Sequence, residues 1–322
     1  MKTDYDALLL VSFGGPEGMD DVIPFLENVL RGRNVPRERM LQVARHYEMF
    51  GGVSPINQQN RNLIAALRKE LDENGPRLPI YWGNRNWDPL LPDTLAQMAQ
   101  DGITNALAFV TSAYSSYSSC KQYRQNISDA QAAVGAEAPR VEKLRVFYNH
   151  PLFIEANVDH IRAALDQFED PNAVNLVFTA HSIPESMAVN CDYAAQLVEV
   201  GGLIAQRLGM KNWQLVYQSR SGSPSQPWLG PDITEHLRTL HNEGVKNVVV
   251  APIGFVSDHM EVVYDLDVEA RKIADELGMK MVRAATAGTH PAFVKMIREL
   301  MVERINDEVQ ENICAPECCR VG

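Results

Sequence analysis

The sequence has no run of lysine or arginine, no long apolar stretch, and only five cysteines in 322 positions. Without a basic run, and with a formal net charge of −11, the chain is a poor nucleic-acid binder, because a field of that sign repels polyanions. A bilayer crossing needs roughly 20 consecutive apolar residues, and the longest runs, such as 7–11 and 248–251, fall far short. No membrane span is expected. The start, Met1-Lys2-Thr3-Asp4-Tyr5-Asp6, lacks the charged lead and long apolar middle of an export signal, so a cytoplasmic location is expected. An odd cysteine count in a reducing compartment argues against structural disulfides. No Gly-x-Ser-x-Gly elbow surrounds Ser182, which disfavours a serine hydrolase. Gly14-Gly15-Pro16-Glu17-Gly18 is not a Gly-x-Gly-x-x-Gly turn, which disfavours a nicotinamide dehydrogenase.

What remains is globular material, 45% apolar and 22% charged. Apolar runs near 7–13, 78–83, 106–111, 145–148, 174–180, 214–218, 245–253 and 280–283 predict strands. Their unbroken hydrophobicity, as in Leu8-Leu9-Leu10-Val11, is that of parallel strands covered on both faces. Helical patterns at 57–74, 116–134, 153–167, 193–208, 232–242, 258–277 and 291–307 alternate with them. The alternation predicts an α/β protein of two doubly wound, Rossmann-like domains with a cleft between them, at 1–150 and 151–311. A cysteine-containing tail at 312–322 follows, without helical period.

Ligands of open α/β sheets sit beyond the carboxyl ends of strands, so polar residues directly after apolar runs are candidates. One is His181, in Thr179-Ala180-His181-Ser182-Ile183-Pro184; a single histidine there is, by itself, more often structural than functional. The other candidates follow the strand ending near 253. There Glu261, Asp265 and Glu269 stack three carboxylates on one helix face, with Asp258 three residues earlier. Like charges so spaced cost about 0.2–0.5 kcal/mol per pair, and a solvated acidic face is the plain alternative to a binding one. Together, an imidazole and a carboxylate suit a borderline divalent ion such as iron(II), and two ligands would hold it loosely enough for transit. A structural site wants four firm ligands.

At these residues the chain resembles ferrochelatases, which insert iron(II) into a porphyrin. The matching segments are Ser12-Phe13-Gly14-Gly15-Pro16, Arg31-Gly32-Arg33, Tyr47 with Gly51-Gly52-Val53-Ser54-Pro55, Ser112-Ala113-Tyr114 through Tyr123, 179–184, Trp228-Leu229-Gly230-Pro231 and 254–267. The resemblance implies a chelatase-like fold whose two Rossmann-like halves face a porphyrin cleft. Across it His181 and Glu261 would act as catalytic groups and iron ligands, with Asp265 and Glu269 as a metal path. It also implies that Phe13, Ser54 and Tyr123 contact the tetrapyrrole; Phe13 stands where some bacterial members carry a tyrosine able to ligate the product iron. The segment around Phe13 and Leu26-Glu27-Asn28-Val29 is more similar to members that use coproporphyrin III than to those that use protoporphyrin IX. Four propionates rather than two call for extra donors, and Arg31, Arg33 and Arg45 are candidates, with plain surface solvation as the alternative. The competing readings are protoporphyrin insertion, a cobalt or nickel chelatase, and a non-catalytic metal- or tetrapyrrole-binding protein. Transient contact with other haem-pathway enzymes is compatible with the resemblance.

Many ferrochelatases carry a [2Fe–2S] cluster on one internal and three C-terminal cysteines. The resemblance extends to Cys120, and with Cys314, Cys318 and Cys319 it would give the four thiolates such a cluster needs. A zinc site on the same ligands and a tail of incidental thiols are the alternatives.

Overall fold

The computed structural model describes residues 4–32, 35–221, 225–308 and 319. Two compact units divide the chain. The first comprises 4–112, 118–146 and 294–308, and the second 113–117 and 147–293, with 319. The segment 294–308, placed in the second half on the sequence pattern, groups with the first unit. The cause is a set of contacts at the end of the helix Pro291–Ile305: Arg145 is paired with Glu303 at 2.8 Å, Arg304 binds Glu142, and Arg298 donates to the Asn74 and Gly75 carbonyls.

In the first unit β1 (Ala7–Ser12), β2 (Ile80–Asn84), β3 (Asn105–Val110) and β4 (Arg140–Lys143) form a parallel sheet in the order β2-β1-β3-β4. Ala7, Leu9 and Val11 face Leu91, Leu95 and Met98 of the helix Leu91–Gln100 and Ile127 of the helix Gln122–Val134, while Leu8 and Leu10 on the opposite face are just as fully buried. Cover on both faces is why β1 reads as a continuous apolar run. The fourth strand is displaced from its expected place at 145–148. The ladder is made by the polar segment Arg140–Lys143, an edge with one neighbour; beyond it the Leu144 N–H still donates to the Ala108 carbonyl at 2.9 Å, and Val146, Phe147 and Tyr148 are buried outside the ladder.

In the second unit β5 (Asn175–His181), β6 (Trp213–Gln218), β7 (Asn247–Ala251) and β8 (Lys280–Arg283) repeat the same arrangement, β6-β5-β7-β8, again parallel. Val177, Val248 and Val250 pack against Leu237 and Leu240 of the helix Ile233–Asn242. They also meet Leu266, Ala270 and Ala274 of the helical stretch after β7. That stretch was expected as one α-helix over 258–277. It begins at Met260, widens to a π-helix over Val263–Ala270, and returns to α-helix over Arg271–Glu276. The reason lies in the period: Val262, Leu266 and Ala270 recur every fourth residue and all are fully buried. A turn closed by i→i+5 bonds keeps such a row facing the sheet where an α-helix would rotate it away. A second π turn, Tyr117–Lys121, carries Cys120.

Candidate active site

His181 is the last residue of β5, and its neighbour in the sheet, β7, leads through a loop into the helix whose first turn carries Glu261. The two side chains extend from adjacent strand ends of one sheet within the second unit. Their closest atoms, His181 Nε2 and Glu261 Oε2, are 3.6 Å apart. The turn after β7 is tight by necessity: Gly254 N–H donates to the Thr179 carbonyl at 3.0 Å, and a Cβ on Gly254 would lie 2.5 Å from that of Ala180. Only glycine lets the loop cross β5 so closely.

The imidazole is fixed from several sides. Its Nδ1–H donates to the Ser182 carbonyl, which leaves Nε2 as the lone-pair nitrogen in the neutral form. Tyr193 donates its hydroxyl to the His181 carbonyl at 3.0 Å, and Gln218 at the end of β6 donates to the Glu261 carbonyl at 3.1 Å. Burial disfavours protonation of His181, yet the Glu261 charge, the bonds to Glu261 and Ser182, and the Asp265 charge outweigh it, so its pKa stands above the ordinary value. Glu261 remains about half exposed, with its side chain open to solvent and to ligand.

Asp265 accepts a hydrogen bond from Ser219, a residue held at φ 60°, in the left-handed region that is costly for a non-glycine. Burial pushes its carboxyl up to about 7; the Ser219 bond opposes this, and the Glu261 and Glu269 charges reinforce it. Glu269 lies one further step along the helix and is exposed. Asp258 takes no place in this row: Arg283 on β8 clamps it, at 3.1 Å, to Asp267 at 2.7 Å, pinning the helix to the sheet.

The sequence pattern missed His259, whose Nδ1 is 3.8 Å from the same Glu261 oxygen and whose ring stands edge-on to Phe255 at 5.0 Å. Burial holds its pKa below the ordinary value. Its adjacency to the acidic row was the available signal. Ser219 gave none, since its part depends on backbone geometry.

In the first unit Phe13 follows β1 and is 36% exposed, edge-on to Phe25 at 6.3 Å. Phe25 in turn meets Tyr47 and Trp87. Ser54 is buried, its N–H donating to the Pro16 carbonyl at 2.9 Å, and Tyr123 is buried with a phenol pKa raised by that burial. A buried amide network shapes this end of the sheet: Asn57 donates to the Gly15 and Asp88 carbonyls, and Asn84 to Asn57. Arg31 and Arg45 are exposed, and Arg33 lies outside the described residues. Of the cysteines, Cys120 and Cys319 are buried, and Cys314 and Cys318 lie outside the described residues. Among the described residues no group of three or more histidine, cysteine or acidic side chains is arranged to hold a metal, and no helix is long and apolar enough to cross a membrane.

Two parallel four-stranded sheets of identical order, with helices around them, define an α/β protein of the chelatase fold. The sirohydrochlorin chelatase SirB from Bacillus subtilis subspecies spizizenii, solved in complex with cobalt, shares it at TM-score 0.54 and 12% identity, over 94% of this chain and 96% of that one. SirB from Bacillus subtilis solved with Fe3+ gives 0.57 and 13%, over 92% and 96%. Residues 5–305 match the Ferrochelatase family model, and the chain belongs to the ferrochelatase family. Its relatives include the ferrochelatase of Rhodopirellula baltica, 56% identical over 98% of this chain and 93% of the relative. The coproporphyrin III ferrochelatases of Streptomyces coelicolor and Nocardia farcinica are 50% and 52% identical, over 98% and 94% of this chain and 93% and 88% of theirs.

Proposed function

We propose that this chain inserts iron(II) into coproporphyrin III, with release of two protons, in haem biosynthesis. Membership of the family and relatives of that name at about half identity support the reaction. The observation that carries the choice of catalytic groups is the approach of the His181 imidazole to the Glu261 carboxylate beyond the strand ends.

Two pyrrole N–H protons must leave before iron can enter the ring plane. The bare Nε2 of neutral His181 accepts a proton from the macrocycle, and the imidazolium so formed is stabilised by Glu261 at its side. Transfer to the half-exposed Glu261 and then to water returns the imidazole to its starting form. The same two groups are the ligands from which iron(II) passes to the porphyrin nitrogens, and two ligands release the ion more readily than four. Asp265 and Glu269 serve as exchangeable oxygen stations leading to Glu261. Phe13, Ser54 and Tyr123 contact the macrocycle. Phe13 has no atom that can ligate iron, so the product leaves without an axial ligand from this position.

An anaerobic insertion assay with coproporphyrin III and protoporphyrin IX, followed by loss of porphyrin fluorescence, tests the assignment. Faster turnover of coproporphyrin III is expected. Tight binding without turnover would make the protein a carrier, and faster turnover of protoporphyrin IX would reverse the substrate choice.

A [2Fe–2S] cluster on Cys120, Cys314, Cys318 and Cys319 is the resident cofactor we propose. The two described members suit it in being buried, which shields a cluster from water. Thiolates at these positions would hold an electron-transfer group that the metal insertion itself does not use. Iron and acid-labile sulfide in equal amounts, lost in Cys120→Ser, are expected; a preparation free of both would remove the cluster. Ferrous substrate and reduced thiols both suit a cytoplasmic setting, and transient contact with the enzyme that consumes the product would protect a reactive iron porphyrin from water.

A further inference from the structure

Arg85 follows β2, where its backbone N–H donates to the Ser12 carbonyl at 3.0 Å and the next residue, Asn86, donates to the Phe13 carbonyl at 3.1 Å. Its guanidinium lies 5.5 Å from the Phe13 ring centroid and 4.6 Å from that of Tyr123. Nε donates to Asn126 Oδ1 at 2.7 Å and Nη1 to the Ser118 carbonyl at 3.4 Å. Each of these partners is neutral. Among the described residues no carboxylate forms an ion pair with Arg85. Its half-buried counterparts do otherwise: Arg145 meets Glu303, Arg283 meets Asp258 and Asp267, and Arg304 meets Glu142.

A guanidinium cannot shed its charge in a protein, and withdrawing it from water without a counter-ion is costly. Two aromatic faces and two neutral acceptors fix the direction of the fork and leave its charge unbalanced. Such a cation is complete only when an anion arrives with the ligand. The tetrapyrrole carries its formal negative charge on peripheral carboxylates, and Phe13 and Tyr123 are the aromatic groups assigned to its ring. We propose that Arg85 is a specificity-determining residue that pairs with a propionate carboxylate of the porphyrin, an inference that rests on the substrate reading above. It adds a donor from the body of the sheet to Arg31 and Arg45, which are exposed. A tetra-acid substrate gains most, since it presents carboxylates on every pyrrole.

Equilibrium fluorescence titration of the full chain with coproporphyrin III, in the absence of metal, tests the pairing. Arg85→Met is expected to weaken binding about tenfold to a hundredfold, the range for a charge-assisted hydrogen bond. Arg85→Lys keeps the charge, loses the fork and is expected to fall between. In steady-state zinc insertion the loss is expected on KM more than on kcat. Wild-type affinity in Arg85→Met, or a loss confined to kcat, overturns the inference. Should Arg85→Met melt far below the wild type, Arg85→Lys decides: a several-fold weaker complex supports the pairing, and unchanged affinity overturns it. Absence of turnover by the wild type with any porphyrin would instead refute the proposed function, and the titrations would still read Arg85.

Discussion

Nε2 of His181 and Oε2 of Glu261 are 3.6 Å apart, and the bond from His181 Nδ1 to the Ser182 carbonyl determines which nitrogen faces the carboxylate. Replacing His181 by Ala is therefore expected to lower metal insertion by about 10²- to 10⁴-fold, the usual weight of a positioned acid–base group. Porphyrin affinity, read by fluorescence quenching, should stay within a few fold. Turnover close to wild type would remove the imidazole from the mechanism.

Gly254→Ala places a methyl group 2.5 Å from the Ala180 Cβ and 2.6 Å from its Cα. Backbone must shift to admit it, at an expected cost of about 1–3 kcal/mol. Because the same loop leads to Glu261, kcat should fall together with the thermal midpoint. A variant as stable and as active as the parent would show that the crossing tolerates a side chain.

Arg283 neutralises Asp258 and Asp267 in a partly buried clamp. Arg283→Met strands both acids, and a loss of about 3 kcal/mol in urea unfolding is expected. The double change of Asp258 and Asp267 to Asn in that background should recover part of it, since no uncompensated charge is then left.

Three carboxylates outside the site sit below their ordinary pKa values. Asp6 is held there by hydrogen bonds from Thr104 and Asn105 and Glu17 by Arg61, while in Glu142 the bonds from Arg304 and Tyr5 outweigh an opposing burial. Each binds its proton less readily folded than unfolded. Their stabilisation is thus complete above the unfolded values of 3.8 and 4.5 and drains away as the pH falls below those values through the lowered folded ones. Unfolding midpoints measured across that acid range should drop more steeply for the parent than for Glu17→Gln. Parallel curves would remove Glu17 from the linkage.

The strands most legible in the sequence were those with both faces covered, such as β1 and β7, because burial on two sides leaves no room for polar residues. β4 was misplaced since an edge strand can be polar, and in Arg140-Val141-Glu142-Lys143 only Val141 is apolar. The helix Met19–Val29 contains Pro24 and the helix Arg37–Glu48 has few apolar residues, so neither displayed a clean period. Within the site, His181 and the acidic row stood out as polar residues directly after apolar runs. Arg85 occupies the same kind of place after β2 but lacks neighbours of its own sort. Its significance emerges from what surrounds it in space, two rings and, among the described residues, no carboxylate in ion-pair contact.

The widened helix over Val263–Ala270 has a bearing on how such a site can arise and vanish. An ordinary helix acquires a wide turn when one residue is inserted without breaking the flanking turns, and each residue taken out swings everything beyond it by about 100°. Two codons deleted between Glu261 and Asp265 would accordingly set Asp265 only two residues on, about 200° around the helix, and aim Asp265 and Glu269 away from Glu261 while leaving their identities intact. The row of oxygens is in this sense a matter of chain length, open to loss in one genetic event that no substitution scan would sample.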